Sequence, residues 1–172
     1  DGVGIVKTVF ASAESDKPIY IRLTGGSNNP IVYHEDINFQ IGKAIEIETG
    51  KDLTIFATGT MVFNSLQAAK ILSEKGIHTS VWDMHTIKPI DEVAIKEAVN
   101  KNKLIVTVEE HNIFGGLSSA VSEHLSSYRN SPPQLSIGIN DFFPKPGDYS
   151  FMLKQCGLAP EQIAQKILSS LN

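Results

Sequence analysis

Short apolar runs alternate with stretches of helical periodicity along this chain, and that alternation constrains its fold more than any other feature. Residues 53–57, 79–84, 103–108 and 135–139 are mostly apolar or β-branched and too short for a buried helix, which marks strands covered on both faces. After the first run, Gly59 opens a helix whose Val62, Leu66, Ala69 and Leu72 share one face, and Gly76 stands where a C-cap glycine belongs. Pro89 and Asp91 start the next helix, with Asp91 as N-cap and Ile95, Ala98 and Val99 inward. Leu117, Val121, Leu125 and Tyr128 line a third helix, ended by the Pro132–Pro133 pair. Strands that alternate with helices in this way build βαβ units. The expected fold class is therefore α/β, three layers of α/β/α around a mostly parallel five-stranded sheet, with 44–48 as the fifth strand. Toward the C-terminus, Asp148 caps a short helix stopped by Gly157, and Pro160 opens a last helix with Ile163, Ile167 and Leu171 inward.

The first thirty residues read differently. Val6, Val9 and Phe10 give 3–15 helical spacing, and Pro18 precedes a short apolar strand over 19–23. Residues 24–30, Thr-Gly-Gly-Ser-Asn-Asn-Pro, have the composition of a linker, and a domain boundary is expected there. With 172 residues, 41% of them hydrophobic, the chain suits one compact domain plus a fragment of another, 31–172 and 1–30. It opens on Asp1 rather than Met, as either a processed product or a part of something longer would.

Composition removes several function classes. A net charge of −4, from 15 basic and 19 acidic residues, argues against a nucleic-acid footprint. No apolar run approaches the length needed to span a membrane. Cys156 is the sole cysteine, so no intramolecular disulfide forms, and a reducing, cytoplasmic setting is expected. His34, His78, His85, His111 and His124 do not pair at metal-ligand spacing, so no metal site is expected. Dinucleotide, phosphate-loop and nucleophile-elbow motifs are all missing.

The candidate site residues gather near one strand end, where ligands meet open parallel sheets. Glu109, Glu110 and His111 follow the 103–108 run directly. Adjacent carboxylates and an imidazole there either move protons or cap a helix and shape a subunit contact. Gly115 and Gly116, with Ser118 and Ser119 behind them, either hold an anion at a helix N-terminus or form a tight turn. Lys88 binds an anion or is simply solvated. Arg22, beside the glycine-rich segment, either grips a phosphate through two parallel hydrogen bonds or pairs with a nearby acid. Phe56 and Trp82 read as packing. Phe142-Phe143-Pro144 marks a subunit or domain contact, or a satellite core under its own loop.

Set in order, these segments resemble a known family. Asp52-Leu53-Thr54-Ile55-Phe56-Ala57-Thr58-Gly59, Leu66-Gln67-Ala68-Ala69, Lys88-Pro89-Ile90-Asp91, Val106-Thr107-Val108-Glu109-Glu110-His111, Gly115-Gly116 and Gly157-Leu158 follow the order of the C-terminal domain of transketolase-like enzymes. That group includes transketolase, deoxyxylulose-phosphate synthase and the beta subunits of 2-oxo acid dehydrogenases. The resemblance covers about 36–171. The first thirty residues resemble the end of the preceding pyrimidine-binding domain, in which an arginine at the Arg22 position contacts the sugar-phosphate substrate. The family's second polar or basic residue is replaced here by Leu23-Thr24.

What the resemblance implies is an assembly domain of a transferase that moves two-carbon units between sugar phosphates and is inactive alone. Thiamine diphosphate and a divalent cation would serve the complete enzyme, with neither expected on this chain by itself. Its partners would be the remaining domains or an N-terminal subunit, in a homodimer. The alternatives are a docking domain of a dehydrogenase beta-type subunit, and a stand-alone ligand-binding domain using the crevice between Glu109 and Gly116.

Overall fold

The computed structural model describes residues 1–25 and 29–171. The central part of the expected linker, Gly26, Ser27 and Asn28, lies outside the described residues.

Eleven elements follow one another: α1 Gly2–Ala13, β1 Ile45–Glu48, β2 Leu53–Ala57, α2 Met61–Ser73, β3 Thr79–Asp83, α3 Glu92–Lys101, β4 Ile105–Asn112, α4 Leu117–Leu125, β5 Gln134–Ile139, α5 Tyr149–Cys156 and α6 Pro160–Leu171. The five strands form one sheet in the order β1-β3-β2-β4-β5. β1 pairs antiparallel with β3, and every other pair is parallel. This is the expected α/β/α sandwich on a mostly parallel five-stranded sheet.

The apolar runs become strands because both sheet faces are covered. Even-numbered β4 residues Val106 and Val108 join Leu53, Ile55 and Val81 in one core, sealed by Leu72 of α2 and by Ile163 and Ile167 of α6. Ile105 joins Phe56 in the second core with Ile95 of α3 and Leu117 and Val121 of α4. β2 is the central strand and buries all five of its residues. Phe56 meets Trp82 edge-on, with ring centroids 6.3 Å apart, so both are packing residues.

Local signals explain most boundaries. Asp91 caps α3 by accepting from the Val93 and Ala94 amides at 3.0 and 3.2 Å. Its second oxygen accepts from Ala44 N at 2.9 Å, which fixes the entry to β1. Gly76 takes φ +79° after α2, where Ile77 N donates to Leu72 O and Gly76 N to Ser73 O. That pair of bonds is the Schellman arrangement, and the left-handed backbone it needs suits glycine. Asp148 caps α5 through Phe151 N at 2.8 Å, and Gly157 ends it in the left-handed region.

Four expectations need correction. Residues 19–23 are not a hydrogen-bonded strand, because no described strand lies beside them to complete a ladder. β4 runs on to Asn112, so Glu109, Glu110 and His111 belong to the strand instead of following it. Leu171 is exposed, one turn beyond Ile167, the last buried residue of α6. Tyr128 lies beyond the end of α4.

The segment before β1 is lightly attached. α1 buries no residue, although its sequence is largely apolar. Its Asp1 carboxylate accepts from Gly4 N as a helix cap and from Val32 N and Tyr33 N at 2.9 and 2.8 Å. Lys7 pairs with Asp36 at 2.6 Å. Tyr33 is the anchor on the main body: its hydroxyl donates to Asp83 Oδ2 at 2.7 Å, 50 positions away in sequence and buried.

Candidate functional site

The carboxyl end of β4 carries the predicted cluster, and strand geometry takes that cluster apart. Successive residues of a strand point to opposite faces. Glu109 turns toward α4, Glu110 toward α2 and α5, and His111 back toward Glu109. The ladder with β5 is irregular over this stretch, because Val108 pairs with Ile137 and Asn112 with Ile139. β4 thus carries extra residues where the three ionisable side chains sit, the usual effect of a bulge beside a polar site.

Glu109 is 1% exposed and fully engaged. One carboxylate oxygen accepts from Leu117 N and the other from Ser118 N, each at 2.8 Å. These amides open α4, whose positive dipole end favours a negative charge there. The anion expected at this helix N-terminus is therefore the chain's own carboxylate. Gly116 is glycine for the same reason: a Cβ there would come within 2.0 Å of Glu109 Oε2. Gly115 takes φ +82° to turn the chain into the helix. The His111 Nδ1 atom stands 3.9 Å from Glu109 Oε2 and is positioned to pair when protonated.

Glu110 does other work. Its Oε2 accepts from the Thr60 hydroxyl at the start of α2 and from the Tyr149 hydroxyl at the start of α5, the latter at 2.6 Å. Tyr149 also lies 3.0 Å from Thr60 Oγ1. Burial first, and then the Glu110 carboxylate, push the Tyr149 phenol up to about 12. Thr60 spends its hydroxyl on Glu110 and makes no side-chain cap on α2. Lys166 of α6 and Cys156 of α5 lie nearby: burial lowers the Lys166 ammonium and raises the Cys156 thiol.

Arg22 is exposed on an extended segment, and no described residue forms an ion pair with it. The structure therefore does not gather Arg22 with the β4 residues. Lys88 is exposed too, which fits the solvated reading. Among the described residues, no three His, Cys, Asp or Glu side chains converge as metal ligands. No helix among the described residues is long and apolar enough to cross a membrane. An open groove of about 390 Å³ runs between α4 and β5, with Phe114, Ser119 and Ser122 on its walls.

Thr60, Tyr149, Tyr33 and Asp83 were not singled out by the sequence. Asp83 ends β3 and is buried; burial pushes its carboxyl up to about 6, while the Tyr33 hydroxyl pulls it down. The same burial and the Asp83 charge push the Tyr33 phenol up. Only Tyr149 left a signal in sequence, as the first residue after a capping aspartate.

The family model for "Transketolase, C-terminal domain" matches residues 42–163. A putative transketolase C-terminal section of Methanocaldococcus jannaschii is 40% identical over 169 residues, 97% of this chain and 51% of that protein. One subunit of an apulose-4-phosphate transketolase of Phocaeicola vulgatus is 40% identical over 163 residues, 94% of this chain and 51% of that subunit. A solved split-gene transketolase, described as an inactive beta4 tetramer, superposes with a TM-score of 0.88 at 38% identity, over 98% of this chain and 54% of that one. The chain spans about half the length of both of these relatives.

Proposed function

We propose a function on one premise: the chain belongs to the transketolase family and carries that family's C-terminal domain. In our reading the domain is a structural and assembly part of a thiamine-diphosphate enzyme that transfers two-carbon units between sugar phosphates. The observation that carries this reading is the use of the strand-end carboxylates. Glu109 closes the N-terminus of α4, and Glu110 ties α2 to α5. Both build the domain and neither is left free to act on a substrate.

Residues 1–30 are, on this reading, the tail of the preceding pyrimidine-binding domain. The apolar surface of α1, with Val6, Val9 and Phe10 exposed, supports this, because such residues suit a cover that the described chain does not supply. Arg22 would then bind a substrate phosphate, a role that its exposed, unpaired guanidinium permits. Thiamine diphosphate and its divalent cation would supply the carbanion chemistry in the complete enzyme. The residues here do not fit that pair, since no cation-ligand cluster occurs among those described, and no step of the reaction is assigned to them. Partners would be the N-terminal section and a second copy in a homodimer, in a cytoplasmic setting; the tetrameric split-gene neighbour supports association between copies. Both similar proteins named above are transketolase sections or subunits, and the dehydrogenase docking alternative is not favoured.

Calorimetric titration of the chain with thiamine diphosphate and magnesium tests the reading. No binding is expected from this chain alone, and transketolase activity is expected once the N-terminal section is combined with the full polypeptide that carries this sequence. Tight binding by the chain itself would overturn it.

A further inference from the structure

We propose that the groove between α4 and β5 binds a small organic cation, an alkylammonium whose charged head meets Glu123 and whose stem lies on Phe114 and Ile113. The inference stands apart from the two-carbon-transfer reading and needs neither cofactor nor N-terminal section. The groove has a volume of about 390 Å³, enough for a small ligand. Ile113 and Phe114 make its apolar wall, and Phe114 is 69% exposed. Ser119, Ser122 and Glu123 of α4 make its polar side.

Hydrogen-bond accounting selects a donor-rich ligand. The amide hydrogens beside the groove are already spent inside the protein. Gly115 N donates to Ser119 Oγ at 2.8 Å, and Gln134 Nε2 donates to Ser118 O and Ser118 Oγ at 3.0 and 3.1 Å. The Ser122 hydroxyl donates to Gln134 Oε1 at 2.8 Å, and the Ser118 and Ser136 hydroxyls bond to each other. A hydroxyl has one hydrogen and two lone pairs, so Ser119 and Ser122 now offer mainly acceptor capacity. The Glu123 carboxylate adds two more acceptor oxygens. A sugar or other polyol brings as many acceptors as donors and leaves its acceptors unmatched here. An ammonium brings three donors and no acceptor.

Charge makes the same selection. None of the groove residues is basic, which disfavours phosphates and carboxylates. Among the described residues, Glu123 has no ion pair. It lies in the C-terminal half of α4, where the helix dipole favours positive charge. The dipole's positive end is met by Glu109 at the other terminus. An exposed aromatic face beside the carboxylate adds cation–π attraction for the same ligand.

The test is a titration of the full polypeptide that carries this sequence with butylammonium, followed by the amide resonances of Phe114, Gly115, Ser119 and Ser122. Saturable shifts are expected there, with a dissociation constant of roughly 1–20 mM and weaker binding at high salt. A lysine side chain offers the same head and stem, so Nα-acetyl-lysine methylamide is titrated alongside, and the tighter of the two names the source. The uncharged 1-butanol should bind about tenfold more weakly. Glu123→Gln and Phe114→Ala should each weaken butylammonium about threefold, and both together about tenfold. Both side chains are exposed, and circular dichroism checks that the variants fold. No shift at those four amides, equal affinity for 1-butanol or glucose, or unchanged affinity in the double variant would each overturn the proposal. The titration contains no thiamine diphosphate, so its outcome is independent of the activity assay that tests the functional reading.

Discussion

The segment before β1 and the body from β1 to α6 have similar appetites for burial and opposite outcomes. α1 is rich in Val, Ile and Phe yet buries nothing, while the five residues of β2 are all sealed from solvent. The body supplies its own interior: two cores hold its buried apolar residues, while Phe114, Phe142 and Phe143 stay exposed at its surface. The leading segment depends on a few polar bonds, chiefly Asp1 to the Val32 and Tyr33 amides and Tyr33 to Asp83. Apolar residues without a cover, beside a body that is complete, mean that the stability of this chain and the purpose of its surface reside in different places.

The sharpest way to break that comparison is to truncate one phenylalanine on each side. Phe56→Ala should cost about 3–5 kcal/mol in urea denaturation, as a large side chain lost from a close-packed core does. Phe10→Ala should stay within about 0.5 kcal/mol, as exposed substitutions do. Similar losses at both sites would show that α1 is packed after all.

A smaller effect is expected within the body, at the two carboxylates of β4. Glu109→Ala leaves the Leu117 and Ser118 amides without their acceptor in a buried site and should cost about 2–3 kcal/mol. Glu110→Gln keeps an acceptor for Thr60 and Tyr149 and should cost about 1 kcal/mol or less. Gly116→Ala should resemble the Glu109 variant, because the added methyl displaces the carboxylate. A reversed ranking in thermal melts would mean that α4 does not depend on its cap.

The joint between the two regions should respond to pH. Asp83 sits at about 6 in the fold against 3.8 for the free side chain, so the native state favours its protonated form. Its contribution is complete below the unfolded value and is lost as pH rises through the folded one. Over that window stability should fall by roughly 1–3 kcal/mol, and Asp83→Asn should flatten the slope. A slope that survives the substitution assigns the titration to another group.

The smallest structural effect belongs to Arg22. Arg22→Ala should leave the melting curve within about 0.5 kcal/mol of wild type. In the complete enzyme it should raise KM for a phosphorylated substrate roughly tenfold or more, the loss expected when a charge-assisted pair goes. An unchanged KM would remove Arg22 from the site.

Most of the body is legible in the sequence. Strands buried on both faces must be apolar throughout, and Asp91, Asp148, Gly76 and Gly157 mark helix ends by local chemistry that needs no distant partner. The helix of the leading segment is legible, but its attachment is not, since its anchor joins Tyr33 to Asp83 across 50 positions and nothing local announces that pair. The β4 site is half legible. Its residues are visible, but a strand ending at Val108 would have kept Glu109, Glu110 and His111 together. The extra residues in the β4 ladder, which sequence does not reveal, let the strand run on and send neighbouring side chains apart. Tyr149 and Thr60 escape notice because each becomes part of the site only once α5 and α2 are placed over the sheet.

The opposed pointing of Glu109 and Glu110 also limits how this strand can change over generations. Substitutions elsewhere in the chain fail one at a time, but a single inserted or deleted residue in the second half of β4 would exchange the two carboxylates at once. The helix on one face would lose its cap and the clasp on the other its acceptor in the same event. Length, more than identity, is then what this stretch has least freedom to vary, and tolerance to insertion should drop to its minimum there.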